Sequence, residues 1–120
     1  MNRKDLIRQY REARQPMGVY RVRNTVNGRW LIGSSANLPG MLNRQRFQLD
    51  HGSHKNRSLQ EDWNRTGPAG FELGTLDTLA APDEPGYDPA RDLRALEAMW
   101  FEKLTHSDGP GYESEPGRGA

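Results

Sequence analysis

The 120-residue chain contains no cysteine, which excludes disulfides, thiolate metal sites and cysteine nucleophiles and fits a reducing, cytoplasmic setting. It has no apolar run near the ~18 residues that a membrane span needs, and its basic N-terminus lacks the apolar core of a signal peptide, so no membrane partner is expected. Hydrophobic residues are scarce at 33%, with a mean hydropathy of −0.98. The core must be small, since a chain this short buries only about two-thirds of its unfolded surface. Values this low approach those of disordered chains, but the net charge is only +1 and the apolar residues keep helical or strand spacing. The chain therefore reads as one folded domain over residues 1–106 with a flexible tail over 107–120. P-loop, dinucleotide-binding and G-x-S-x-G signatures are absent, and His51, His54 and His106 show no zinc-ligand spacing.

What is present is an uneven charge distribution. Residues 1–46 carry a balance of +8 and residues 47–120 one of −7. The basic part is mostly arginine, whose planar fork pairs with phosphate in a bidentate way and so suits a polyanion. Charge alone fits a solvated basic surface neutralised by nearby acids equally well.

The chain is organised around residues 17–33, MGVYRVRNTVNGRWLIG, where two β-prone runs flank Asn27-Gly28, a strong hairpin signal. A two-residue loop there sets Val26 opposite Arg29, Asn24 opposite Leu31 and Val22 opposite Gly33. Tyr20, Val22, Leu31 and Gly33 then share one sheet face, the expected site of function. Ahead of the hairpin, residues 3–14 predict an amphipathic helix with Leu6, Ile7, Tyr10 and Ala13 on one side, covering a sheet face, and Pro16 ending it. After it, Ser34, Ser35 and Asn37 are N-cap candidates for a helix over 38–50, with Leu38, Met41, Leu42, Gln45 and Leu49 on one stripe and Gly52 closing it. A helix over 56–65 buries Leu59 and Trp63 and stops at Gly67-Pro68. FELGTLDT, residues 71–78, reads as a third strand. The breaker-rich stretch 80–89 is a loop, and Asp88-Pro89 forms an N-cap and N1 pair for a helix over 89–105. The tail beyond is rich in Gly and Pro.

Glu97 is the residue that physical reasoning alone picks out. In the last helix it falls on the stripe made by Leu93, Leu96, Trp100, Phe101 and Leu104, so a carboxylate occupies an apolar slot. An unpaired buried charge costs several kcal/mol, so something must compensate it. A divalent cation, an arginine, or an outward position with access to water would each serve.

Gly18-Val19-Tyr20, followed after the hairpin by Leu31-Ile32-Gly33, resembles the paired signature of the GIY-YIG nuclease superfamily. The resemblance continues through NGRWLIGSSANL (27–38), GSHKNRSLQEDWNRTG (52–67), FELGTLD (71–77) and LEAMWFEKL (96–104), and spans most of residues 17–104. It implies an α/β (α+β) domain, a small three-stranded, mainly antiparallel sheet over 18–23, 29–34 and 71–78 flanked by helices, here with an extra N-terminal helix. It also implies a metal-dependent DNA endonuclease with one Mg²⁺ or Mn²⁺ on Glu97 and with Tyr20 beside the attacking water. A phenol serves there only if cations depress its pKa. The runs around His54 and Asn56 match the pattern too, whether to touch substrate or to cap the next helix.

The departures matter as much. Leu31 stands where the second tripeptide opens with tyrosine, Met41 where the helix offers an arginine, and Gln45 where it offers a histidine or tyrosine. Losing a donor that stabilises phosphoryl charge typically costs about 10²-fold or more in rate. Arg44, one turn beyond Met41, is the candidate replacement. The resemblance also favours an asparagine near the domain's end, where this chain has Gly111-Tyr112-Glu113. Expected nucleic-acid contacts are Arg21, Arg23, Arg29, Arg46, His54 and Lys55. The alternatives are a nucleic-acid-binding module that kept the fold and lost catalysis, and a protein-interaction domain whose arginines are paired with acids.

Overall fold

The computed structural model of the chain describes residues 2–13, 15–80, 82 and 84–113, without the side chains at 7 and 10–13. Eight elements follow in order: α1 (Arg3–Ala13), β1 (Gly18–Asn24), β2 (Trp30–Ser35), α2 (Leu38–Asp50), α3 (Arg57–Thr66), a 3-10 turn (Pro68–Gly70), β3 (Phe71–Thr78) and α4 (Ala90–Asp108). The sheet has the order β2-β1-β3, with both neighbours antiparallel to the central β1.

Alternation along β1 sorts the core into two layers. Tyr20 and Val22 join Leu31, Phe71, Leu38 and Leu49 of α2, and Leu59 and Trp63 of α3. On the opposite face Val19 joins Trp30, Ile32 and Leu104, with Leu96, Trp100 and Phe101 of α4 packed against them. Each fully buried Leu or Val contributes about 1.5–3 kcal/mol, and the larger layer holds α2 and α3 against the sheet. A bulge in β3 opposite Val19 and Tyr20 leaves Leu76 unpaired between Thr75 and Asp77. Leu73 packs on the α2 side and Leu76 on the α4 side. Gly18 makes the bulge possible, because a side chain there would collide with the Asp77 carbonyl.

Asn37 caps α2 by accepting from the Gly40 backbone N–H at 3.1 Å, and Asn56 caps α3 by accepting from Leu59 N–H at 3.0 Å. Both helices thus begin and end within a residue of the spans read from the sequence. The hairpin differs. Its loop runs over five residues, because the Asn24 side chain accepts from the Val26 and Asn27 N–H groups and holds the turn open. Val22 therefore faces Leu31 and Tyr20 faces Gly33, a register two residues from the one the two-residue loop predicted. A shift of two leaves every side chain on its expected face. Asp88 does not cap α4 directly: Pro89 holds the cap position, the Asp88 carboxylate accepts from Ala90 N–H at 3.0 Å, and the helix runs on to Asp108.

Two further expectations change. Leu6 of α1 is 50% exposed, so at this position the helix is not packed on the sheet; Ile7, Tyr10 and Ala13 lie outside the described side chains. The flexible tail does not begin at 107. Ser107 and Asp108 complete α4, and residues 109–113 return to the core as a strap: Tyr112 is buried, its N–H donates to the Trp30 carbonyl at 2.7 Å, and Trp30 Nε1 donates to the Gly109 carbonyl at 3.1 Å. Residues 114–120 lie outside the described residues.

Candidate active site

A cavity of about 250 Å³ runs beside β2 and collects residues from both layers. Tyr20 and Gly33 enter from the α2 side of the sheet, and Ser34 from the other. Met41, Arg44, Gln45 and Gln48 come from one face of α2, His54, Lys55 and Asn56 from the loop before α3, Glu97 from α4, and Glu113 from the strap. Gly33 is required where it stands, because a Cβ there would strike the Tyr20 hydroxyl.

Glu97 is 8% exposed. Its Oε1 accepts from Ser34 Oγ at 2.8 Å, and among the described residues neither carboxylate oxygen is in an ion pair. The arginine partner and the outward position, two of the three ways of compensating this charge, are therefore not what the fold uses. The donor set fits a hard cation: Mg²⁺ is commonly held by one or two carboxylates, keeping waters and substrate phosphates as its other ligands. Glu97 supplies one such carboxylate and Glu113 lines the same cavity. Burial, and then the Glu97 charge, push the Glu113 carboxyl up to about 7.

Burial and the Glu97 and Glu113 charges likewise push the Tyr20 phenol up to about 12, against the opposing pull of the Arg44 guanidinium. At neutral pH, with no cation beside it, Tyr20 is therefore a neutral phenol with a proton to donate. Arg44 lines the cavity from an exposed stem and has no ion-pair partner among the described residues. Leu31 and Met41 also line it, so the two departures from the family pattern leave apolar surface where a hydroxyl and a guanidinium were expected.

The expected nucleic-acid contacts are not brought together. His54 and Lys55 reach the cavity. Arg21 and Arg23 share the sheet face of Val19, the α4 side, and Arg21 Nη1 sits 4.0 Å from Asp108. Arg29 lies over the Tyr112 ring at 4.2 Å and Arg46 over the Trp63 ring at 5.8 Å. Strand alternation already placed Arg21 and Arg23 on the face opposite Tyr20, so the sequence held the signal that they lie away from this cavity. Ser34, Gln45, Gln48 and Glu113 were not among the expected site residues. Gln45 stood out on the stripe of α2 and as the replacement for a histidine or tyrosine, and Glu113 only in the comparison with an asparagine near the domain's end, without a role for either.

No family model matches the sequence and no curated protein matches it. Among solved structures, the catalytic domain of the homing endonuclease I-TevI is similar, with a TM-score of 0.62 and 27% identity over 80% of this chain and 95% of that one. A glutamate-to-alanine variant of the catalytic domain of the same intron endonuclease gives a TM-score of 0.64 at 21% identity, over 82% and 95%. I-TevI is a GIY-YIG homing endonuclease, and this chain, a three-stranded antiparallel sheet with four helices, has the GIY-YIG-like fold.

Proposed function

We propose that the chain is a metal-dependent endonuclease that hydrolyses phosphodiester bonds in DNA with one Mg²⁺ or Mn²⁺ at Glu97. The observation that carries this reading is the Glu97 carboxylate itself, 8% exposed, bonded to a neutral serine and opening on a cavity that also holds Arg44 and Tyr20. A bound dication would supply Lewis acidity and a lowered pKa for its water. The remaining tasks fall to the chain: Ser34 fixes the Glu97 rotamer, Arg44 pairs with a phosphoryl oxygen as charge develops, and Tyr20 hydrogen-bonds the reacting group. The fold's likeness to a homing endonuclease domain adds support for DNA as the polyanion.

The test is cleavage of supercoiled plasmid by the full chain with Mn²⁺ or Mg²⁺, beside Glu97→Gln. The variant keeps the Ser34 bond and removes the charge, and is expected to lose about 10²-fold or more in rate. Equal cutting by the two proteins overturns the assignment. Leu31 and Met41 in the cavity wall favour a second reading, a catalytically impaired nucleic-acid-binding module, which predicts salt-sensitive binding without metal-dependent cutting.

A further inference from the structure

The backbone N–H of Asn56 can only donate, and it donates to His54 Nδ1 at 3.0 Å. That fixes the tautomer: the proton of the neutral ring sits on Nε2, which donates to Gln45 Oε1 at 2.6 Å. The Gln45 amide orientation follows, with its nitrogen turned away from His54. One amide N–H reaches the Tyr20 hydroxyl oxygen at 3.4 Å and the other the Met41 sulfur at 3.6 Å. The His54 end is held in place by Gln60, whose Oε1 accepts from the His54 backbone N–H at 3.0 Å and whose Nε2 donates to the Leu49 carbonyl at 2.9 Å. Donors therefore run in one direction along the whole chain and end on the Tyr20 oxygen. Tyr20 is 7% exposed, and among the described residues nothing accepts its own proton.

We propose that Gln45 and His54 are positioning residues that hold the Tyr20 oxygen as an acceptor and turn its proton into the cavity, so that Tyr20 meets an anionic phosphodiester oxygen as a hydrogen-bond donor. The substrate half of this inference rests on the nuclease reading; the wiring does not. Burial and then the Lys55 charge keep His54 below its ordinary pKa, which favours the neutral ring that the direction of bonding requires. The space left by Gly33 accommodates the hydroxyl. In this arrangement a neutral donor faces the substrate beside the position where Met41 replaces the family's arginine.

The experiment has two arms on the full chain. Nitrogen-15 NMR of the histidine rings is expected to report His54 as the Nε2–H tautomer in wild type and in Gln45→Glu, which keeps the acceptor, and to report a mixture of tautomers in Gln45→Leu, which removes it. Plasmid cleavage is expected to fall about tenfold in both Gln45 variants, since both lose the N–H to Tyr20, and each double variant with Tyr20→Phe is expected to cut no more slowly than Tyr20→Phe alone. A His54 proton on Nδ1 in wild type, or losses that multiply in the double variants, overturns the proposal. Should wild type cut nothing, the nuclease reading fails and the phosphodiester role falls with it, while the tautomer arm still decides the wiring.

Discussion

Two charged side chains in the cavity have opposite sensitivities. Arg44 is exposed and packs nothing in the core, so Arg44→Ala is expected to leave the melting temperature unchanged while lowering the cleavage rate about 10²-fold. A temperature scan beside a cleavage time course checks both halves. Glu113 works on stability instead. Its carboxyl, ordinarily near 4.5, keeps its proton to about 7 in the fold, so between those values the folded state binds a proton that the unfolded chain has released. The stability linked to this group is full below the ordinary value and falls as pH rises through about 7. Because the side chain is half-buried, water screens the effect to on the order of 1 kcal/mol, a few degrees in Tm. Melting curves across this window are expected to decline for wild type and to flatten for Glu113→Gln.

At the scale of elements, the strap over 109–113 is the piece that ties the two layers together. The Tyr112 hydroxyl donates to Asp62 of α3 at 2.6 Å and accepts from Asn24 of β1 at 3.1 Å, while the Asn56 side chain donates to the Tyr112 carbonyl at 3.2 Å. Tyr112→Phe keeps the ring, removes the hydroxyl that joins Asn24 to Asp62 and leaves the buried Asn24 amide only a long 3.5 Å bond to Asp62, at an expected cost of about 1–2 kcal/mol in a denaturant titration. The Tyr112 bond is also the main cause holding Asp62 below its ordinary value near 3.8. That contribution is present above the ordinary value and is lost as pH falls through the depressed one. The wild type is thus expected to lose more stability on acidification below about pH 4 than Tyr112→Phe. Elements with local signals were legible: the Asn37 and Asn56 caps marked α2 and α3, and alternation marked the strands. The strap was not, because a Gly- and Pro-rich stretch has no periodicity, and its order comes from Trp30 and Asp62, far away in sequence. The hairpin register was missed because the Asn24 side chain, not the Asn27-Gly28 pair, sets the loop. In the site, Glu97 was legible because a carboxylate broke an apolar stripe, whereas Gln45 took on meaning only once folding set it between Tyr20 and His54.

For the molecule as a whole, the basic third of the sequence is matched by acids only in places: Arg8 lies beside Asp5 and Arg21 beside Asp108. Arg44 and Lys55 are the basic side chains lining the cavity. Each phosphate contact contributes a slope of about 0.9 to log affinity against log salt. With one contact from each of these two side chains, a slope of about two is therefore expected for duplex DNA in a fluorescence-anisotropy titration, falling by about one in Arg44→Ala.

The Tyr112 N–H that docks on the Trp30 carbonyl has an effect beyond the site it anchors. That carbonyl points away from β1 and would otherwise offer itself to a foreign strand, the usual route by which small sheet proteins recruit one another into aggregates. The chain's own C-terminal segment occupies the start of this edge, and on the other edge, β3, Glu72 and Asp77 place negative charge along the border. A chain cut after Asp108 would uncover that carbonyl and lose the Tyr112 ties together, and light scattering beside a melting curve is expected to show it both less stable and more prone to self-association.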